Sequence, residues 1–300
     1  MVLSYDGTMF HGWQKQQPPD QPSWPRTVEG VLEECLRPAL SQRVKFWPSG
    51  RTDAGVSATG QVVQFDAVLP EALLPNLADT INAALPSDVR CMSIAQAARD
   101  FSANECLWKR YTYTVPGDAA AVQQACLSMV GALGGAEGDA DAAPPLNLEA
   151  MREASARLVG THDFAAFQSK GGRATTVRTL YRFDVEVVAE GLRPPPHAGG
   201  DSSSSRRQRG GLVLTLEADG FLYNMVRILV GTVVQIGMGR RCSADCAAGS
   251  LDATERADIG GYIEGVLAGG ERAKAGPKAP AAGLCLEHVE YESPNAPTQR

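Results

Sequence analysis

The residues best placed for chemistry are those of Ser49-Gly50-Arg51-Thr52-Asp53-Ala54-Gly55-Val56, ahead of the apolar run Gly60-Gln61-Val62-Val63-Gln64-Phe65. One carboxylate, Asp53, stands among small residues close behind Arg51. Glycines on both sides allow a tight turn and let a bulky substrate approach the backbone. A lone acid on such a loop has the setting of a catalytic aspartate. Nothing else nearby explains a buried acid, so its expected partner is Arg51 or a distant arginine. The same residues also make an ordinary polar turn before a strand, and spacing alone favours that reading.

Further blocks change the balance. They are Tyr5-Asp6-Gly7-Thr8-Met9-Phe10-His11-Gly12-Trp13-Gln14, Thr27-Val28-Glu29-Gly30, and Lys109-Arg110-Tyr111-Thr112-Tyr113. The second half adds Gly160-Thr161-His162-Asp163-Phe164 and Asp219-Gly220-Phe221-Leu222-Tyr223-Asn224-Met225-Val226-Arg227. The end carries Ala275-Gly276-Pro277 and Gly283-Leu284-Cys285-Leu286. Together with the Asp53 motif these blocks resemble the A-type pseudouridine synthases that modify uridines in the anticodon arm of transfer RNA. They occur in family order and span nearly the whole chain.

The resemblance implies an isomerase that detaches uracil from C1′ of ribose and reattaches it through C5, at tRNA positions 38 to 40. It implies no cofactor and no metal. Asp53 matches the catalytic aspartate, and Arg227 the basic residue that pairs with it. Arg51 matches an arginine that fills the space left by the flipped uridine, whose extrusion costs a few kcal/mol. Tyr111 matches the tyrosine that stacks on the target uracil, a contact worth roughly 1–3 kcal/mol. Leu284 matches an apolar residue lining the uracil pocket. Each has a plainer reading: Arg227 on the surface of a helix, Tyr111 and Leu284 in the core. Tyr113 shares a strand face with Tyr111, so the choice of Tyr111 rests on the resemblance. Ser57 stands where bacterial members commonly carry histidine, and Lys278 where threonine is usual. Neither change removes a residue the chemistry requires.

The resemblance also implies the fold class: α+β, with two related α/β halves sharing a mixed, mainly antiparallel sheet with a central cleft. It implies tRNA as partner and a homodimer that binds one RNA across both subunits. Two other readings compete. One is a non-catalytic tRNA-binding relative that assists RNA folding, disfavoured by the intact set of Asp53, Arg51, Tyr111 and Arg227. The other is a hydrolase with a single carboxylate nucleophile acting on a small sugar. Glycosidases use paired acids, and no second acid stands at a readable spacing.

Composition sets the outer bounds. A chain of 300 residues with 44% hydrophobic residues builds one large or two ordinary domains. No run reaches the roughly eighteen apolar residues of a membrane helix. Seven cysteines at irregular spacing read as reduced thiols inside the cell, compartment undetermined. Cys242 and Cys246 lack the partners of a zinc site. The net charge of −6 runs against RNA binding, which favours a basic footprint. Cations nevertheless gather at Lys109 with Arg110, at Arg173 with Arg178 and Arg182, and at Arg240 with Arg241. The abrupt opening, Met1 to Tyr5, reads as the end of a strand, so a truncated start is expected.

These residues must be held by regular elements. Thr27 predicts an N-cap for a helix through about Leu40, with Val28, Val31, Leu32, Cys35, Leu36 and Ala39 on one stripe. Strands are predicted over 62–65, 111–115, 179–188 and 212–218. Helices are predicted over 77–85, 148–159 with Asn147 as N-cap, and 221–237. The expected division is an N-terminal half, 1–115, carrying the aspartate loop, and a C-terminal half, 146–300. An Ala/Gly-rich segment, 116–145, links them, with a helical piece near 122–130. A Ser/Arg/Pro-rich loop, 193–211, is expected to be disordered.

Overall fold

In chain order the elements are β1 (Val2–Tyr5), α1 (Val28–Ala39), β2 (Phe46–Pro48), β3 (Ser57–Phe65), α2 (Leu77–Ala84), β4 (Val89–Ser93), β5 (Trp108–Pro116) and α3 (Ala119–Gly131). There follow α4 (Leu148–Leu158), β6 (Gly160–Asp163), β7 (Val177–Val188), β8 (Gly211–Ala218), α5 (Met225–Gly237), α6 (Ala253–Gly269) and β9 (Leu284–Glu290). This computed structural model describes residues 1–16, 25–131, 145–172, 174–189, 210–239 and 251–292. The fold is α+β with mainly antiparallel strand pairing. Contacts group the chain into two units. One comprises Met1–Arg110 and the closing strand β9; the other comprises the described residues from Tyr111 to Gly283.

In the first unit the strand order is β4-β1-β3-β9, with β2 also paired to β3. β1 runs antiparallel to β3 and β4, and β2 antiparallel to β3. Among the described strands of this unit only the β3–β9 pairing is parallel, with Ser57 opposite Cys285 and Ala58 opposite Leu286. Strand β3 starts at Ser57, five residues before the apolar run at Val62. Gly60 permits this, because a Cβ there would collide with the carbonyl oxygen of Glu287 on the neighbouring strand. Helix α1 is capped as expected: the Thr27 hydroxyl accepts from the Gly30 N–H at 3.2 Å. Val28, Leu32 and Leu36 are buried, whereas Val31, Cys35 and Ala39 are only half-buried at the flanks of the stripe. In α2, Leu77 and Ile81 supply the buried side.

In the second unit the order is β5-β8-β7-β6. β7 and β8 form a long antiparallel pair from Leu180 opposite Ala218 to Val188 opposite Gly211. Residues 190–209 between them, most of the expected 193–211 loop, lie outside the described residues. So do 132–144, the greater part of the Ala/Gly-rich segment; its first part forms α3, which covers the predicted helical piece. Asn147 caps α4 by accepting from the Ala150 N–H at 2.9 Å, and Met151, Ala154 and Leu158 are buried as the spacing predicts. Helix α6 joins α4 through ion pairs of Arg256 with Glu149 and Glu153.

Helix α5 starts at Met225, later than the predicted 221. Asn224, with φ at +61°, breaks the right-handed path just before it. Every α5 residue except Arg227 is buried. Two glycines allow a backbone-to-backbone fit behind it. A Cβ on Gly231 would strike the Pro277 carbonyl, and one on Gly276 would lie 2.5 Å from Thr232 Cα. The Thr232 hydroxyl accepts from the Gly276 N–H at 2.8 Å. Thus the Ala275-Gly276-Pro277 block serves to seat α5.

Candidate active site

Asp53 lies half-buried on the loop between β2 and β3. The opening segment of the chain ties this loop down. The Trp13 N–H donates to the Thr52 carbonyl at 2.9 Å, and the Gly55 N–H to the Phe10 carbonyl at 3.1 Å. The Val56 N–H donates to the Asp53 carbonyl at 3.1 Å, closing a tight turn. Gly55 sits at φ +81° and Gly12 at φ +90°. A Cβ on Gly12 would lie 2.9 Å from the Thr52 carbonyl oxygen, so glycine lets the two segments touch. Just past the loop, the Gly7 N–H donates to the Ser57 hydroxyl at 3.0 Å.

A buried polar network fixes the base of the loop. The Tyr5 and Thr52 hydroxyls share a hydrogen bond of 2.8 Å. The Gln61 amide donates to the Gly50 carbonyl at 2.6 Å and to the Tyr5 hydroxyl at 3.4 Å, and accepts from the Ser49 hydroxyl at 2.7 Å. Lys109 Nζ donates to the Ser49 carbonyl. Burial pushes the Tyr5 hydroxyl well above the usual tyrosine range, so it stays neutral and hydrogen-bonding at any working pH. The Asp6–Trp13 block therefore positions the aspartate loop, which spacing alone does not reveal. Tyr5, Gln61 and Gly12 are supports that the residue pattern does not mark as such.

Arg51 is exposed on the same loop. Leu284 is buried as the first residue of β9, one step before the Ser57–Cys285 pair. The first unit thus brings Arg51, Asp53 and Leu284 to adjoining stretches, the loop and the strand beside its exit.

Tyr111 and Arg227 belong to the second unit. Tyr111 is 8% exposed and packs edge-to-face on Phe221, ring centroids 5.2 Å apart. Tyr113 is buried too, so exposure does not separate the pair. Burial raises the Tyr113 hydroxyl above its ordinary range, and the positive charge of Arg227 works against that rise. Arg227 Nε donates to the Ala279 carbonyl at 2.7 Å, and Nη1 to Asn224 Oδ1 at 3.1 Å. A guanidinium half-buried and doubly anchored differs from a solvated surface arginine. Its place between Asn224 and Ala279 had no signal in the residue pattern beyond an arginine within an apolar helix.

The basic residues expected to face RNA divide. Arg182 is paired with Asp184 and Glu217, which uses up its charge locally. Arg110 lies over the Trp108 ring at 5.3 Å. Arg178 is half-buried, with Nη1 bonded to the Val177 carbonyl at 2.6 Å. Arg173, Arg240 and Arg241 lie outside the described residues, as do Cys242 and Cys246. Among the described residues no cluster of metal-ligating side chains occurs. No described helix is long and apolar enough to cross a membrane.

A profile of the family described as tRNA pseudouridine synthase matches residues 154–292. Similar proteins include tRNA pseudouridine synthase A of Nitratidesulfovibrio vulgaris, 33% identical over 100% of this chain and 98% of that protein. The protein of that name from Myxococcus xanthus is 34% identical, covering 97% of this chain and 91% of its own. The Streptomyces griseus one is 37% identical over 81% and 75% respectively.

Proposed function

Because the chain belongs to the tRNA pseudouridine synthase family, we propose that it converts uridine to pseudouridine in the anticodon stem-loop of tRNA, at positions 38 to 40. Asp53 acts at the ribose: either it bonds to C1′ or it assists loss of the base as a glycal forms. The C1′–N1 bond breaks, uracil turns, a C1′–C5 bond forms, and the C5 proton is transferred to N1 overall. Atoms and oxidation state balance within the substrate, so the reaction calls for no external oxidant, reductant or group donor.

Arg227 serves as the basic partner of Asp53 in this reading. Tyr111 holds the detached uracil by stacking, and Leu284 gives the base an apolar wall. Arg51 occupies the gap in the RNA stack; its planar guanidinium suits stacking and phosphate pairing alike. A homodimer binding one tRNA, and two related halves sharing a sheet with a central cleft, belong to the same reading.

The observation that carries this proposal is the fastening of the Asp53 loop. Two backbone hydrogen bonds to residues 10–13 and a buried Tyr5–Thr52–Gln61 network fasten the loop that carries half-buried Asp53. A plain turn needs no such scaffold; a reacting group does. The test is pseudouridine mapping on unmodified tRNA transcripts, with the wild type and with Asp53→Ala. Modification at positions 38 to 40 that disappears in Asp53→Ala is expected. Activity retained by Asp53→Ala would overturn its role. Binding without modification, by folded wild type, would point instead to a non-catalytic tRNA-binding protein.

A further inference from the structure

We infer that Asn224 is a positioning residue for Arg227, a step that rests on the role proposed for that arginine. Asn224 has φ +61°, in the left-handed region that side chains other than glycine seldom occupy. Asparagine tolerates it better than most, yet the conformation persists only where surroundings enforce it. The residue stands at the N-cap of α5 but makes no side-chain capping bond. Asparagine is among the best capping residues, so its amide is committed elsewhere.

That amide bridges two segments. Oδ1 accepts from Arg227 Nη1 at 3.1 Å, and Nδ2 donates to the Ser169 hydroxyl at 3.0 Å. The Ser169 N–H donates to the Tyr223 carbonyl at 3.0 Å, a second link between the same segments. On its other side Arg227 Nε is held by the Ala279 carbonyl, and the Ala279 N–H donates back to the Arg227 carbonyl at 3.0 Å. The guanidinium is therefore gripped from two directions before any substrate arrives. Asn224 is 8% exposed, so its own amide is largely out of contact with water. Fixing a long, flexible cation in advance spares the reaction the loss of its rotamer freedom. A right-handed residue at 224 would extend the helix by one and redirect the side chain.

The test uses two substitutions in the full chain. Asn224→Gly keeps the left-handed backbone without strain and removes the amide. Asn224→Asp keeps an acceptor facing Arg227. We expect Asn224→Gly to fold, to retain its KM for tRNA, and to lose kcat by on the order of a hundredfold, as small misplacements of reacting groups do. Asn224→Asp should recover most of that loss. Added to Arg227→Ala, Asn224→Gly should lower kcat no further, since it acts through the arginine. Nitrogen-15 NMR gives a readout that needs no turnover: the Arg227 side-chain N–H signals should be sharp in the wild type and exchange-broadened in Asn224→Gly. A wild-type kcat in Asn224→Gly, or losses that multiply in the double variant, overturns the inference. Should the wild type form no pseudouridine, the proposed function fails, and the Arg227 signals alone decide the positioning: unchanged signals refute it.

Discussion

Gly12 bears on the Asp53 loop through space rather than charge. Its φ is +90°, and a Cβ there would stand 2.9 Å from the Thr52 carbonyl oxygen, which leaves no room for alanine. Gly12→Ala should destabilise the protein by about 1–3 kcal/mol, read as a lower urea midpoint at unchanged slope, because strained backbone and contact both act. A neutral result would show that the opening segment does not clamp the aspartate loop. Titration offers a second check. Burial raises the thiols of Cys91 and Cys126 to about 11. An unfolded cysteine titrates near about 8.5, so the folded state binds these protons more tightly. Their contribution is whole below the unfolded value and is lost as pH rises toward the folded one. Stability should fall between about pH 8.5 and 11, and Cys126→Ala should flatten part of that decline. An unchanged profile in Cys126→Ala would show that its thiol does not titrate late.

At the scale of elements, equivalent substitutions should have opposite signs. Gly231 in α5 faces the Pro277 carbonyl directly, whereas exposed Gly261 in α6 has nothing within 4 Å. Gly231→Ala forces α5 off the segment that also anchors Arg227, and should cost more than about 3 kcal/mol. Gly261→Ala should stabilise by roughly 0.5–1 kcal/mol, since alanine orders less chain entropy in a helix. Paired melting curves decide; a shared sign would refute the packing described. Helix α6 also shows how a start signal is missed. Asp252 accepts from the Thr254 and Glu255 N–H groups, and the Glu255 side chain accepts from the Asp252 N–H, a complete capping box. Asp252-Ala253-Thr254-Glu255 spells that box in the sequence. The many alanines and glycines after it hide the periodicity.

At the scale of the whole molecule, charge is the open tension. A chain of net charge −6 must bind an anionic partner through local cations. Arg182 is compensated by Asp184 and Glu217, so Arg182→Ala should change tRNA affinity little. Arg51 is exposed on the aspartate loop, and Arg51→Ala should weaken binding and reduce the slope of log affinity against log salt by about one. Filter binding over a salt series measures both. Affinity indifferent to salt would count against an RNA phosphate contact altogether.

The residue order by itself determined the caps at Thr27 and Asn147, the buried side of α4, and strands 111–115, 179–188 and 212–218. These depend on local hydrogen bonds and on the alternation of apolar side chains, both written along the chain. It also singled out Asp53, Arg51, Tyr111, Arg227 and Leu284, by motif rather than by spacing. The tertiary structure decided what no local pattern encodes. The β3 start at Ser57 follows from pairing with a strand more than two hundred residues away in the sequence. The late start of α5 follows from one left-handed asparagine whose side chain serves Arg227 and Ser169 rather than the helix. The grip on the Asp53 loop comes from residues 5–13 and Gln61, brought near by the sheet. Hydrogen bonds between distant segments leave no period in a sequence, because each partner is constrained only by the other.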